Sequence, residues 1–117
     1  MRIVSVLENQ KIEKRIAITP DIAKKYIALG FEVVISEKYG EHLGFKDNDY
    51  KELGVEILKK ENEVLSNADV IIQLGLLSDD NLSLLKKDQT LIGVFNPYFN
   101  KEKIKNLSKK NVNVFSL

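Results

Sequence analysis

The sequence predicts an α/β protein with a mostly parallel sheet and helices on both of its faces. Apolar runs such as residues 70–74 alternate with amphipathic stretches along the whole chain of 117 residues. Several of these runs are apolar throughout, which is typical of strands that are buried on both faces of a sheet. No repeat, low-complexity tract or linker interrupts the pattern. We therefore expect one domain over residues 1–117.

The first half of the chain predicts three strands and two helices. Thr19 and Pro20 mark a helix start, because a threonine side chain caps free backbone N–H groups and proline suits the first helical turn. Gly30 suits the position after that helix, where a left-handed conformation ends the last turn. The predicted order is a strand over 2–7, a helix over 20–29, a strand over 31–35, a loop over 36–45, a short helix from Asp47 to about Gly54, and a strand over 55–58.

The second half continues the alternation and brings the number of predicted strands to six. The predicted order is a helix over 61–66, a strand over 70–74, a helix from Asp79 or Asp80, a strand over 90–95, a helix over 101–110 and a strand over 112–115. Leu82, Leu84 and Leu85 are expected to point inward from the helix that begins near Asp79.

Composition excludes several classes of function. The chain is 44% hydrophobic and 30% charged, as in ordinary globular domains, and its net charge of +1 gives no field that would attract nucleic acid. The lysine-rich helix over 101–110 carries Ile104 and Leu107 on one side, so its lysines predict a solvated outer face. No cysteine and a single histidine, His42, argue against a metal site. No apolar run reaches the ~18 residues that a membrane span needs.

Arg15 is the strongest candidate for a binding residue. It follows the first predicted strand, and open α/β sheets bind ligands at the carboxyl ends of their strands. Its planar fork suits a carboxylate or a phosphate, although pairing with a neighbouring acid, Glu8 or Glu13, is the structural alternative. Asn96 follows the strand over 90–95 at the same sheet edge, where it lines a crevice or belongs to a turn fixed by Pro97.

Other features point away from independent catalysis. The six glycines, at positions 30, 40, 44, 54, 75 and 93, are too far apart for the glycine-rich turn that holds a dinucleotide pyrophosphate. His42 lies in a glycine-flanked loop and is expected to be solvated. We find no base paired with an activated nucleophile. The chain alone is therefore predicted to bind no dinucleotide.

Several segments resemble the N-terminal domain shared by alanine dehydrogenase and the alpha subunit of proton-translocating NAD(P) transhydrogenase. They are residues 1–4, Glu8, the run Glu-Lys-Arg-Ile-Ala-Ile-Thr-Pro over 13–20, residues 29–35, Gly40, residues 45–47, Tyr50, residues 54–57 and residues 68–71. The resemblance implies a flavodoxin-like fold of the formate/glycerate dehydrogenase catalytic-domain type. It also implies a separate Rossmann domain beyond residue 117 that binds NAD(H), and a first domain completed by chain returning from the far C-terminus. The end of the sequence just after a predicted strand fits the front part of a longer subunit.

Two positions favour the transhydrogenase branch. In alanine dehydrogenase the arginine that aligns with Arg15 binds the substrate carboxylate, and a lysine and a histidine carry the rest of the chemistry. Their aligned positions here are Gly75 and Asn96. A glycine cannot hold a ketoacid, and a carboxamide cannot exchange a proton at neutral pH. Transhydrogenation needs no such groups, because hydride passes directly between two nicotinamides. Lys38, where a glycine is usual, and Val6, where a proline is usual, depart from the family pattern.

The resemblance therefore predicts the N-terminal segment of a transhydrogenase alpha subunit, which supports hydride transfer from NADH to NADP⁺ coupled to proton translocation and is inactive alone. It implies the rest of the alpha subunit, the beta subunit and a second copy as partners, on the cytoplasmic side of the inner membrane. The alternatives are an alanine dehydrogenase domain and a non-catalytic α/β remnant or interaction module. A receiver-like module is disfavoured, because Leu74 and Gly75 end the central strand and Asp69 precedes it.

Overall fold

The computed structural model describes residues 1–95 and 100–117 and confirms the predicted α/β class. The strands are β1 (Arg2–Ser5), β2 (Glu32–Ser36), β3 (Glu56–Leu58), β4 (Val70–Gln73), β5 (Thr90–Gly93) and β6 (Asn113–Ser116). The α-helices are α1 (Pro20–Ala28), α2 (Asp47–Lys51), α3 (Glu61–Ser66), α4 (Asp79–Ser83) and α5 (Lys101–Lys109), and a 3₁₀ helix covers Glu41–Leu43.

The strands form one parallel sheet in the order β3-β2-β1-β4-β5-β6. This is the strand order 3-2-1-4-5-6 of doubly wound dinucleotide-binding sheets. Without the edge strand β3, the remaining five strands have the order 2-1-3-4-5 of flavodoxin. The direction of winding reverses between β1 and β4. Only two residue pairs join these strands, Ile3 with Val70 and Val4 with Ile71. Beyond these two pairs, towards the carboxyl ends of β1 and β4, the Gln73 and Glu8 side chains link the strands.

Each face of the sheet has its own hydrophobic core. On the first face α1 and α2 pack with Tyr39 against Ile3, Val33 and Ile35. On the second face α3, α4 and α5 pack against Val4, Val34, Ile71 and Leu91. Because successive residues of a strand point to opposite faces, the continuous apolar runs in the sequence supply both cores. The prediction of helices on both faces is confirmed.

Local sequence signals set the ends of α1. The Thr19 side chain accepts a hydrogen bond from the Ile22 N–H at 3.3 Å, and Pro20 is the first helical residue. Gly30 takes a φ of +94°, the left-handed conformation expected after the helix. β1 is shorter than predicted, since the N–H groups of Val6 and Leu7 bond to side chains instead of to neighbouring strands.

The prediction that Leu84 points inward is wrong. Leu82 and Leu85 are buried, whereas Leu84 is 39% exposed. α4 ends at Ser83, so Leu84 occupies the cap position after the helix. Residues two apart in a helical conformation do not share a face, so Leu84 points away from the side on which Leu82 and Leu85, three apart, are buried.

One half of the first face keeps apolar surface exposed. Ile72, Ile92 and Phe115 occupy matching positions on β4, β5 and β6 and so lie on the same face. The helices of this face, α1 and α2, contact β2 and β3 instead. Ile92 is half-buried and Phe115 is 57% exposed.

Within the described residues, none of the helices is long and apolar enough to cross a bilayer.

Candidate functional site

A cleft of about 600 Å³ opens at the carboxyl edge of the sheet, beside the point where the winding reverses. Its floor includes Glu8 and Gln73, which follow or end β1 and β4, and Ser36 at the end of β2. Ser78 and Asn81 line the wall at the start of α4. This is the position where open α/β sheets bind ligands. Both signs of charge line the rest of the cleft, from Lys38, Lys59, Lys103, Glu37 and Glu61.

Glu8 joins the ends of β1 and β4 in the cleft floor. Its Oε2 atom accepts hydrogen bonds from the Leu74 N–H at 2.8 Å and the Gln73 side-chain amide at 3.0 Å. Its Oε1 atom accepts one from the Gly75 N–H at 3.1 Å. The residue is only 6% exposed. Burial raises the pKa of the Glu8 carboxyl, and the hydrogen bonds from Leu74 and Gly75 oppose that rise.

The Gln73 side chain makes the hydrogen bonds to the Val6 backbone that a continued β1–β4 pairing would otherwise provide. Its oxygen accepts hydrogen bonds from the Val6 N–H at 2.7 Å and the Ser5 hydroxyl at 2.8 Å. Its nitrogen donates to the Val6 carbonyl at 3.0 Å and to Glu8. All four hydrogen-bonding positions of the amide are therefore used, which fixes its orientation. Gln73 thus holds β1 and β4 together where their backbone pairing has ended.

Tyr39 extends this network into the first-face core. The hydrogen of the Ser5 hydroxyl is directed to Gln73, so the Tyr39 hydroxyl, 2.8 Å from Ser5 Oγ, must donate to it. The Tyr39 oxygen accepts from the N–H groups of Ala17 and Ile18, each at 3.1 Å. Burial raises the pKa of Tyr39 to about 12, although the hydrogen bonds accepted from the Ile18 and Ala17 N–H groups act in the opposite direction. The segment that follows Arg15 is thereby anchored to β1.

Arg15 forms a bidentate pair with Glu13. Its Nε and Nη2 atoms each donate to one Glu13 carboxylate oxygen at 2.9 Å, and its backbone N–H adds a bond of 3.0 Å. Of the two acids that the sequence offers as partners, the structure selects Glu13, because Glu8 is bound to β4. The Arg15 side chain is 73% exposed and does not line the cleft. Its role as a ligand-binding residue remains a prediction.

The Glu13–Arg15 pair gives a test by pH titration. Hydrogen bonds from the Arg15 side chain hold the pKa of Glu13 at about 2, below its usual value of 4.5. The pair therefore stabilises the folded chain above about pH 4.5, and this contribution is lost as the pH falls towards 2. We expect Arg15→Ala to raise the pKa of the Glu13 carboxyl, followed by NMR, from about 2 towards its usual value, with a residual lowering from the backbone N–H of residue 15. Arg2→Ala is the control, since Arg2 pairs with Glu32. An unchanged Glu13 titration in Arg15→Ala would show that the pair does not form in solution.

His42 does not line the cleft. His42 is exposed, as predicted, yet its Nε2 atom lies 2.7 Å from the Lys14 carbonyl and must donate to it. In the neutral ring Nδ1 then accepts from the Gln10 amide at 3.2 Å. Asn96 lies outside the described residues. Within the described part of the chain, no group of three or more histidine and carboxylate side chains could hold a metal ion.

Sequence reasoning misses the part played by Glu8, which it names only as a possible partner for Arg15 and as one of the residues that carry the resemblance. The usable signal is position, because Glu8 and the Leu74–Gly75 step both come just after strands that end at the same sheet edge. That signal requires β1 and β4 to be neighbours, which the sequence does not state. Gln73 is missed for a different reason, since it carries no ionisable group and its amide matters only once both strands are in place.

Comparison with curated proteins gives relatives over the whole chain. The first part of the NAD(P) transhydrogenase subunit alpha of Rickettsia prowazekii is 35% identical over 121 residues, covering 100% of this chain and 32% of the relative. The NAD(P) transhydrogenase alpha subunit of Cereibacter sphaeroides is 31% identical, covering 100% and 22%. The alanine dehydrogenase of Mycolicibacterium smegmatis is 33% identical over 84 residues, covering 72% and 23%. The chain spans about a third of the length of the first relative and about a fifth of the second.

Solved structures agree with this grouping. A transhydrogenase from Sinorhizobium meliloti superposes with a TM-score of 0.87 at 26% identity, over 97% of this chain and 34% of that one. An L-alanine dehydrogenase superposes with a TM-score of 0.91 at 20% identity, over 99% and 32%. At that identity the second match establishes only the fold.

The match to a family profile covers nearly the whole chain. The profile described as "Alanine dehydrogenase/PNT, N-terminal domain" aligns with residues 5–117. It includes part or all of every strand of the sheet and the whole of the Glu8, Gln73 and Tyr39 network. The resemblance inferred from the sequence is thus confirmed, and the chain belongs to the alanine dehydrogenase/PNT N-terminal domain family.

Proposed function

We propose that this chain is the N-terminal segment of an NAD(P) transhydrogenase alpha subunit, in which it supports hydride transfer from NADH to NADP⁺ coupled to proton translocation. The observation that carries the proposal is the coverage of the relatives. Transhydrogenase alpha subunits align with the whole chain, whereas the alanine dehydrogenase of M. smegmatis aligns with 72% of it. The chain by itself performs no catalysis in this proposal.

The chemistry at Gly75 supports the same choice. By the family resemblance, alanine dehydrogenase carries a lysine at the position of Gly75. The backbone here does not demand a glycine, since a Cβ atom at Gly75 would meet only the Glu8 carboxylate, at an ordinary 3.4 Å. The backbone and the space for a Cβ atom therefore do not by themselves impose a glycine at position 75. A domain that brings two nicotinamides together and excludes water has no need of that lysine.

The remaining parts of the proposal concern what completes this lobe. NAD(H) is bound by a Rossmann domain outside these residues, consistent with the widely spaced glycines. Chain returning from the far C-terminus of the subunit covers the exposed apolar half of the first face at Ile92 and Phe115. The further partners are the beta subunit and a second alpha subunit. The assembly then lies against the cytoplasmic side of the inner membrane through its partner subunits.

A chimera tests the proposed activity. Residues 1–117 replace the matching N-terminal third of the R. prowazekii relative, and the chimera is combined with that organism's remaining transhydrogenase subunits. We expect NADH-dependent reduction of NADP⁺, because the lobe supplies shape rather than a proton-transferring side chain. Oxidation of NADH dependent on pyruvate and ammonia is expected to be absent.

Two controls make the result decisive. The 117-residue chain alone is titrated with NADH while nucleotide fluorescence is followed, and no micromolar binding is expected. A chimera carrying Gly93→Ala serves as a destabilised control, in which the lobe is expected to be less stable. Activity with pyruvate and ammonia, without transhydrogenation, would select the alanine dehydrogenase alternative. A folded chimera that lacks both activities would favour the non-catalytic interaction module.

A further inference from the structure

The carboxyl edge between β1 and β4 contains a set of hydrogen-bond donors that converge on one point. The backbone N–H groups of Leu74 and Gly75 and the side-chain amide of Gln73 lie 2.8, 3.1 and 3.0 Å from the two oxygens of Glu8. No lysine or arginine takes part in these contacts. The donors are therefore arranged for a planar anion with two oxygens, which a carboxylate matches.

These donors cannot easily turn away. The Gln73 oxygen is already engaged by Val6 and Ser5, so its NH₂ group is directed towards Glu8 and the Val6 carbonyl. The orientation of Ser5 is fixed in turn by Tyr39. The two backbone N–H groups belong to the residues that directly follow β4. The anion position is thus preorganised by the sheet and by a buried network rather than by Glu8 itself.

These donors lie at the point where the winding of the sheet reverses, between β1 and β4. Sheets with this strand order take anionic ligands at the point where the winding reverses. We propose that the Leu74, Gly75 and Gln73 donors form a carboxylate-binding site that the chain fills with its own Glu8 side chain. A nucleotide phosphate that enters the cleft then finds this position taken by a negative charge. This inference concerns the chain alone and does not depend on the proposed enzymatic activity.

Acetate matches the part of the Glu8 side chain that a substitution by alanine removes. Glu8→Ala keeps the Cβ atom and removes the rest of the side chain, whose terminal methylene and carboxylate are equivalent to acetate. Glu8 lines the open cleft, so acetate from solution can reach the vacated position. Removing the side chain leaves the donors without a partner, which lowers the stability of the variant. Acetate bound in its place should restore it, because a ligand that binds only the folded state stabilises that state.

The test uses the 117-residue Glu8→Ala variant titrated with sodium acetate at neutral pH and constant ionic strength. We expect a saturable rise in Tm of about 5 °C at ten times the Kd. NMR should show the Leu74 and Gly75 amide resonances moving with the same saturation curve. Sodium chloride at equal ionic strength and acetamide, which has the shape of acetate but presents N–H donors, should have no such effect.

Glu13→Ala is the control variant, because it loses the same type of side chain from the exposed pair with Arg15. Neither it nor the wild-type chain should respond to acetate. If Glu8→Ala is unfolded without ligand, recovery of its circular dichroism in acetate supports the site. Failure to recover at high acetate, or a folded Glu8→Ala chain whose Leu74 and Gly75 resonances do not move, would overturn it. An equal response of the wild-type chain would also overturn it.

Discussion

Gly93→Ala is expected to lower the free energy of unfolding by about 3 kcal/mol and Tm by more than ~10 °C. A Cβ atom at Gly93 would collide with the backbone carbonyl oxygen of Gln73 and with the ring of Phe95. Gln73 is the partner of Gly93 in the β4–β5 pairing, so relief would require the two strands to move apart. Such a movement would also disturb the Gln73 side chain and, through it, Glu8.

Gly75→Ala is the matched control for that variant. A Cβ atom at Gly75 meets only Glu8 Oε1, at 3.4 Å, which is an ordinary contact. We therefore expect its stability to stay within about 0.5 kcal/mol of the wild-type value. Thermal and urea unfolding of both variants, followed by circular dichroism, makes the comparison. Equal stability of Gly93→Ala and Gly75→Ala would mean that β4 and β5 are not packed as described.

Tyr39→Phe is expected to lower the free energy of unfolding by about 3 kcal/mol, although it removes a single oxygen. That oxygen accepts from two backbone N–H groups, of Ala17 and Ile18, and its O–H group donates to Ser5. Ile18 and Ser5 are fully buried, so water cannot replace the lost partner. The cost is that of several buried polar groups left without hydrogen bonds. Tyr26→Phe is the control, since Tyr26 is only half-buried.

The same substitution should change the response of the chain to alkaline pH. Because the pKa of Tyr39 is raised from 10.0 to about 12, the folded state favours its neutral form. Its contribution to stability is present below pH 10 and is lost as the pH rises towards 12. Phenolate absorbance should show one late-ionising tyrosine fewer in Tyr39→Phe than in the wild-type chain. Late ionisation of the same size in both would exclude Tyr39 as its source; among the described tyrosines, Tyr50 also has a pKa raised by burial.

Features that depend on neighbours along the chain could be predicted from the sequence. The start of α1 at Thr19 and Pro20 and its end before Gly30 depend on residues within one helical turn, and all three lie where predicted. Leu84 shows the limit of such reasoning. Its apolar character alone suggested burial, but helical geometry turns Leu84 away from the face that Leu82 and Leu85 share.

The candidate site depends on contacts between distant parts of the sequence. Glu8 lies 65 to 67 residues from its three donors, and Ser5 lies 34 residues from Tyr39. The sequence also leaves open which acid pairs with Arg15, because Glu8 and Glu13 are both close along the chain. Glu8 accepts hydrogen bonds from residues at the end of the neighbouring β4, so Arg15 pairs with Glu13.

The amino-acid sequence by itself determined the parallel α/β class, the family and the absence of a glycine-rich dinucleotide turn, because apolar periodicity and local motifs are properties of adjacent residues. Only the tertiary structure decided that β1 and β4 are neighbours and that their ends are joined by Gln73 and Glu8. The physical reason is that a buried carboxylate needs donors, and only strand order brings the Leu74 and Gly75 amides within reach of it.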